Sequence, residues 1–296
     1  MIAASPPIAE RAGYDSFHFV QRQAIFLLPA TALLALVPML RPKNVRRLAV
    51  LVFLVALCLT AATIPFGEEA NGARRWLQLG GVWLQPSEFL KPGFAVVTAL
   101  ILAAQQRTAD KDLRWLSIGL LAIVTGLLAL QPDMGMAALV IAAWLVQFFV
   151  AGMPIRWVAT VFVAGIAAAV MAYSFVPHVT DRVDRFLFPQ PGANYQVETA
   201  LNAFQAGGPF GRGPGEGVLK TVLPDAHTDF IFAVAGEEFG LLACLAITSA
   251  FAFVVLRSLY RLFRETDYFI LLAATGLSVQ FALQAAINMG VNLRLL

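Results

Sequence analysis

The 296-residue chain is 59% hydrophobic and 13% charged, with a mean hydropathy of +0.74. Soluble domains carry about a quarter charged residues, so a soluble globular protein is excluded. Lysine and arginine number 21 against 18 acids, a net charge of +3, but the cations fall in short connections between apolar runs. The positive-inside bias accounts for them and no nucleic-acid partner is implied.

Apolar stretches of about 17 to 25 residues read as membrane-spanning helices. Eight occur, near residues 19–40, 47–66, 89–106, 115–131, 134–152, 156–177, 230–256 and 268–290. The expected fold class is therefore all-α: a polytopic membrane helix bundle forming one transmembrane domain over residues 1–296. Cys58 and Cys244 lie inside these runs as small hydrophobes, with no redox or metal argument. Cations follow alternate helices: Arg41, Lys43, Arg46 and Arg47, then Arg107, Lys111 and Arg114, then Arg156, then Arg257, Arg261 and Arg264. Those connections are cytoplasmic. Residues 67–87, 131–135 and 178–229 then face outward, with both chain ends. Residues 1–17 are polar and lack the apolar core of a targeting segment, and the chain stops abruptly after its last helix. The expectation is an internal piece of a longer membrane protein.

The first outer loop reads GEEANGARRWLQLGGVWLQPSEFLKP. Asn71, Gly72, Gly80 and Gly81 mark turns, Trp76 and Trp83 suit the lipid-water boundary, and Pro86 suits the first turn of the third helix. Glu88 and Lys91 are three apart on one helix face. They form either a helical ion pair at a positive helix end or a pair facing a cavity, the default for ionisable groups at membrane depth. Gln131, Pro132 and Asp133 end the fourth helix, where a turn-forming aspartate is the plain account. In the last helix Gln280, Gln284, Asn288 and Asn292 recur every four residues, an amide stripe that either glues helices together or lines a polar cavity.

The long interval 178–229 carries too many charges and glycines to lie in lipid, so it is the large extracytoplasmic loop. Its run GGPFGRGPGEGVLKT is not a nucleotide loop, because Leu219 rather than glycine precedes Lys220 and no strand precedes the run. Arg212 and Lys220 among free backbone N–H groups still suit a diphosphate. The interval closes on LPDAHTDF, residues 223–230, directly before an apolar run. Asp229 there has a plain alternative as a helix N-cap, worth about 1 kcal/mol. Two turns on, Glu237 and Glu238 are adjacent, so at least one faces the protein interior.

Taken together, GARRW (72–76), QPSEFLK (85–91), QPDMG (131–135), YQ (195–196) with GGPFGRGPGEG and Lys220, and LPDAHTDFIFAVAGEEFG (223–240) resemble the SEDS family, the FtsW/RodA membrane proteins that polymerise peptidoglycan. The order of five motifs covers essentially the whole chain. The resemblance implies a ten-helix bundle whose first and tenth helices are missing here, and the LPDAHTDF wording is more like the division-type FtsW members than elongation-type RodA. It implies a peptidoglycan glycosyltransferase of the bacterial inner membrane acting on lipid II at the extracytoplasmic face. Asp229 is the implied catalytic base. Arg74, Arg75, Lys91 and Lys220 are the cations for the departing diphosphate, with Trp76, Gln85, Glu88, Gln131, Asp133, His227 and Thr228 around the substrate. No cofactor is certain; a divalent cation such as magnesium is an option for diphosphate departure. Expected partners are a class B penicillin-binding transpeptidase, other division or elongation proteins, and membrane lipids. Two rival readings stand beside this one: a transporter flipping lipid II, although no internal repeat is visible, and a non-catalytic scaffold of the cell-wall complex.

Overall fold

The computed structural model describes residues 2, 4–11, 13–70, 73–80, 82–107, 112–175, 179–180, 184 and 195–295, without the side chains at 70, 79, 107, 158, 168, 169 and 172. Asn71, Gly72, Gly81, Lys111 and most of 178–194 therefore lie outside the described residues. In chain order the elements are α1 (Ser5–Arg11), α2 (His18–Leu36) running into a short 3-10 turn, α3 (Pro42–Phe66), β1 (Glu68–Ala70), β2 (Ala73–Leu79) and β3 (Val82–Leu84). They continue as α4 (Pro86–Arg107), α5 (Arg114–Leu130), α6 (Met134–Val150), α7 (Ile155–Phe175), α8 (Tyr195–Gly207), a 3-10 turn Leu219–Thr221, α9 (Ile231–Leu262) and α10 (Tyr268–Asn292).

Within the described residues all eight apolar stretches are helical. Among these residues five helices, α2, α3, α4, α9 and α10, have both the length and the hydropathy to cross a membrane, and α5 and α6 have 17 residues each. Proline starts α3 and α4 where its missing N–H has no helical partner to lose.

Three features depart from the sequence reading. Residues 68–84, expected as a loop, form an antiparallel sheet in the order β1-β2-β3. The cause is a period-two pattern in ARRWLQL: Ala73 and Leu77 are buried while Arg74, Trp76 and Gln78 are exposed. The polar interval contains α8, whose buried face is Thr199, Ala200 and Ala203. And the expected single helix over 230–256 is broken at Gly240, which takes φ 75° and ψ −173°.

The chain divides into two compact units. One comprises Leu40–Ala164 and Val254–Gln284, with Leu90, Phe94, Leu128, Trp144, Phe148 and Leu272 in its core. Inside it, Gln147 Nε2 donates to the carbonyls of Ala95 (2.9 Å) and Leu272 (3.0 Å), and Trp144 Nε1 donates to Ser117 Oγ (2.8 Å). In a bilayer core such groups have no water to turn to, so the bonds lock the helices that share them.

The other unit comprises Met1–Met39, Gly165–Phe253 and Ala285–Leu296. Here the glycine-rich run is spliced into the break in α9. Arg212 N and Gly213 N donate to the carbonyls of Glu237 and Glu238 (3.0 Å each), while Leu241 N and Leu242 N donate to the carbonyls of Gly208 (2.9 Å) and Pro209 (3.3 Å). The loop thus replaces the helical bonds that the break removes. A Cβ on Gly240 would lie 2.4 Å from Gly211 N, and one on Gly211 2.2 Å from the Glu238 carbonyl oxygen. Gly240→Ala combines this backbone clash with left-handed strain and is expected to lose on the order of 3 kcal/mol or more. Gly119→Ala, with nothing within 4 Å of the added Cβ, is expected to melt no lower than wild type in detergent; comparing the two melting curves checks the splice.

Candidate functional site

Two polar clusters hold the residues singled out from the sequence, one in each unit. In the unit built on α3 to α6, the turn between α5 and α6 is fixed first. Gln131 Nε2 donates to the Thr60 carbonyl (3.0 Å) and to Thr63 Oγ1 on α3. Arg75, on β2, donates to the Pro132 carbonyl (2.8 Å) and approaches the Asp133 carboxylate (3.6 Å). Asp133 itself caps α6 through Met136 N (3.4 Å). The plain account of Asp133 as a turn and cap residue is therefore what the structure shows. Arg75 acts as a clamp on this turn.

Lys91 is 3% exposed, and its ammonium meets Glu88 (2.8 Å), Met136 Sδ (3.2 Å) and Gln284 Oε1 (3.4 Å). Its carbonyl accepts from Gln280 Nε2 (3.0 Å). Glu88 remains partly exposed, so the pair has one buried and one accessible end. Gln85 Nε2 donates to Ser87 Oγ (3.3 Å). Arg74 pairs loosely with Glu69 (3.5 Å), both exposed, and Trp76 is also exposed.

In the other unit Glu237 and Glu238 are both fully buried, and each is neutralised differently. Glu237 accepts from the backbone N–H groups of Val218 (2.7 Å), Leu219 (2.9 Å) and Lys220 (3.2 Å), a carboxylate seated on the start of the 3-10 turn Leu219–Thr221. Glu238 accepts from the Lys220 ammonium (2.6 Å), which also donates to the Gly215 carbonyl (2.7 Å). Lys220, expected as an outward cation, is a buried counter-ion. The two groups line an open cleft of about 780 Å³ with Pro6, Pro7, Pro214 and Phe239.

The LPDAHTDF segment folds as consecutive turns. Leu223, Ala226 and Phe230 are buried at spacings of three and four, which leaves Asp225, Thr228 and Asp229 exposed. Asp225 adopts φ 52°, and its carbonyl accepts from the Thr228 and Phe230 N–H groups (3.0 and 3.3 Å) and from Thr228 Oγ1 (3.2 Å). His227 packs its ring 4.3 Å from that of Phe19, and burial lowers its pKa against the opposing pull of the Asp225 and Asp229 charges. It supports the segment.

Asp229 does not cap α9. Val234 N donates to the Phe230 carbonyl (3.2 Å), so Phe230 holds the cap position and Asp229 precedes it. Among the described residues no donor reaches its carboxylate. Partial burial raises its pKa, the Asp225 charge raises it further, and His227 opposes both. An exposed carboxylate with free lone pairs and heightened basicity is the form a general base requires.

The sequence reading missed Thr60 and Thr63 as partners of Gln131; two threonines three apart in an apolar run were the available signal. It also missed the split of Glu237 and Glu238 between backbone and lysine, for which no local signal exists. Removing one partner of the buried Lys220–Glu238 pair strands the other charge, so Lys220→Met alone is expected to lose roughly 3 to 5 kcal/mol. Lys220→Met with Glu238→Leu is expected to recover much of that loss, as read by a double-mutant cycle of melting temperatures.

A family model described as a cell cycle protein, FTSW_RODA_SPOVE, matches residues 1–296. A probable peptidoglycan glycosyltransferase FtsW from Caulobacter vibrioides (strain NA1000 / CB15N) is 40% identical over 295 residues, 99% of this chain and 76% of its own length. The protein of that name from Legionella pneumophila is 32% identical over 308 residues, 100% of this chain and 78% of its own. Among solved structures, a chain from work described as "Structural coordination of polymerization and crosslinking by a peptidoglycan synthase complex" superposes with a TM-score of 0.77 at 26% identity, covering 99% of this chain and 84% of that one. Rod shape determining protein RodA of Thermus thermophilus does so with a TM-score of 0.65 at 26% identity, covering 98% and 81%.

Proposed function

The chain belongs to the FtsW/RodA/SpoVE family of cell cycle proteins, and from that premise we propose that it is an FtsW-like peptidoglycan glycosyltransferase that polymerises lipid II into glycan strands. The observation that carries the reading is Asp229: a carboxylate held at the mouth of α9 by buried neighbours, yet bonded to none of the described residues. In the reaction it takes the proton of the acceptor sugar hydroxyl as that oxygen attacks the anomeric carbon of the growing chain. The bond to the lipid diphosphate breaks on the opposite face, so the configuration inverts.

The cations divide by their neighbours. Arg74, exposed and loosely paired, is the one most available to the departing diphosphate. Arg75, Lys91 and Lys220 hold the two clusters in shape. A divalent cation is proposed only as a companion of the substrate diphosphate; among the described residues no group of three His, Cys, Asp or Glu converges to hold one, and no step here depends on it. The cation bias of the connections supports placing this chemistry on the extracytoplasmic face of the inner membrane. A penicillin-binding transpeptidase is the proposed partner, since a strand-polymerising enzyme needs a cross-linking one.

In full-length purified protein, Asp229→Asn keeps the side-chain shape and removes the base. It is expected to insert and fold normally while glycan formation from labelled lipid II falls roughly 10² to 10⁴-fold; a flippase or a scaffold would make no glycan in either form. The acid limb of the rate profile lies above that of an ordinary aspartate, because the base is lost as pH falls through a raised pKa. Asp225→Asn removes one cause of that rise, and asparagine tolerates the φ of 52° at this position. The limb should then move to lower pH with activity retained, a shift that a pH series of initial rates would read.

A further inference from the structure

The carbonyl of Asp229 is outside the helical ladder. Ala233 N, which would bond it in a regular helix, bonds the Phe230 carbonyl instead (3.0 Å). Its donors come from α10: Asn292 Nδ2 at 2.9 Å and Asn288 Nδ2 at 3.3 Å. The same Asn292 amide also donates to the Asn288 carbonyl (2.9 Å). Both acceptors are carbonyl oxygens, so the amide must present its NH₂ and its orientation is settled by chemistry. Asn292 is 1% exposed.

We propose that Asn292, with weaker support from Asn288, is a positioning residue for Asp229, holding the residue's peptide plane so that its carboxylate projects outward as the base; this rests on the base reading above. The physical reason is geometric. A residue just ahead of a helix has no ladder bond to fix ψ, and rotation about that bond would swing the carboxylate toward the first-turn N–H groups of α9. There it would become a cap and lose its free lone pairs. Two amides on a separate helix hold the carbonyl and oppose that rotation. The last two members of the amide stripe thereby act on the reaction without touching substrate.

The test uses full-length protein in nanodiscs with lipid II, measuring kcat, KM and thermal unfolding for wild type, Asn292→Ala, Asn288→Ala, Asn292→Asp and Asp229→Asn. Asn292→Ala is expected to lower kcat at least about tenfold, short of the hundredfold that ~1 Å of misplacement can bring, with KM within about threefold and a rate loss larger than the fall in melting temperature from two unbonded carbonyls accounts for. Asn288→Ala should lose less, its bond being longer. Asn292→Asp faces two carbonyls as an anion and donates only when protonated, so its rate relative to wild type should rise as pH falls. A wild-type kcat in Asn292→Ala, or a loss that only tracks the melting temperature, overturns the inference. If Asn292→Ala does not fold, a pH-independent ratio for Asn292→Asp overturns it equally. An active Asp229→Asn would instead sink the base reading, and this inference with it.

Discussion

A helix that crosses a membrane cannot be interrupted unless something else satisfies the backbone groups set free, because hydrocarbon offers no hydrogen bonds. In this chain the interruption at Gly240 is met by residues 208–213, which supply donors and acceptors on both sides of the break. The glycines are needed for approach rather than for flexibility: a side chain on Gly240 or Gly211 would occupy the space of the other strand's backbone. The splice ties the glycine-rich run to α9. On the same unit, the 3-10 turn at Leu219–Thr221 gives the Glu237 carboxylate its seat.

Charge in the two clusters follows one rule. Glu88 has Lys91, Asp133 has Arg75, Glu238 has Lys220, and Glu237 has three backbone N–H groups. Each pairing offsets the desolvation of a group near or inside the membrane. Asp229 and its neighbour Asp225 differ from these, being exposed acids whose carboxylates accept from no described residue. The Asp225 charge raises the pKa of Asp229, and Asp229 sits one residue before the cap of α9 with its carbonyl held by α10. A carboxylate whose basicity is raised by partial burial and a neighbouring like charge is the kind of group that reactive sites use.

Much of this was legible in the sequence. The eight apolar stretches are helical within the described residues, and five of those helices are long and apolar enough to span a membrane, the property that length and hydropathy decide. The amide stripe in α10 was read as glue or cavity lining, and its four members do bind backbone or ammonium groups: Gln280 and Gln284 at Lys91, Asn288 and Asn292 at Asp229. The sheet at 68–84 was concealed by charged residues on its exposed face, although the alternation of Ala73 and Leu77 was there to be counted. The break at Gly240 was invisible, since one glycine in an apolar run looks the same in a straight helix; only the matching glycines thirty residues earlier explain it. The N-cap alternative for Asp229 misses by a single residue, because Phe230 rather than Asp229 takes the first ladder bond of α9. That single residue separates a bonded carboxylate from a free one.

Chemical rescue tests the central claim most directly. Full-length Asp229→Ala is supplied with labelled lipid II and increasing formate, and polymer is followed on gels. If the carboxylate serves as the base, polymerisation is all but absent without formate and returns in proportion to the formate anion added, with an acid limb set by the pKa of formate rather than by that of Asp229. Polymer made at the wild-type rate by Asp229→Ala with no carboxylate added would contradict the account.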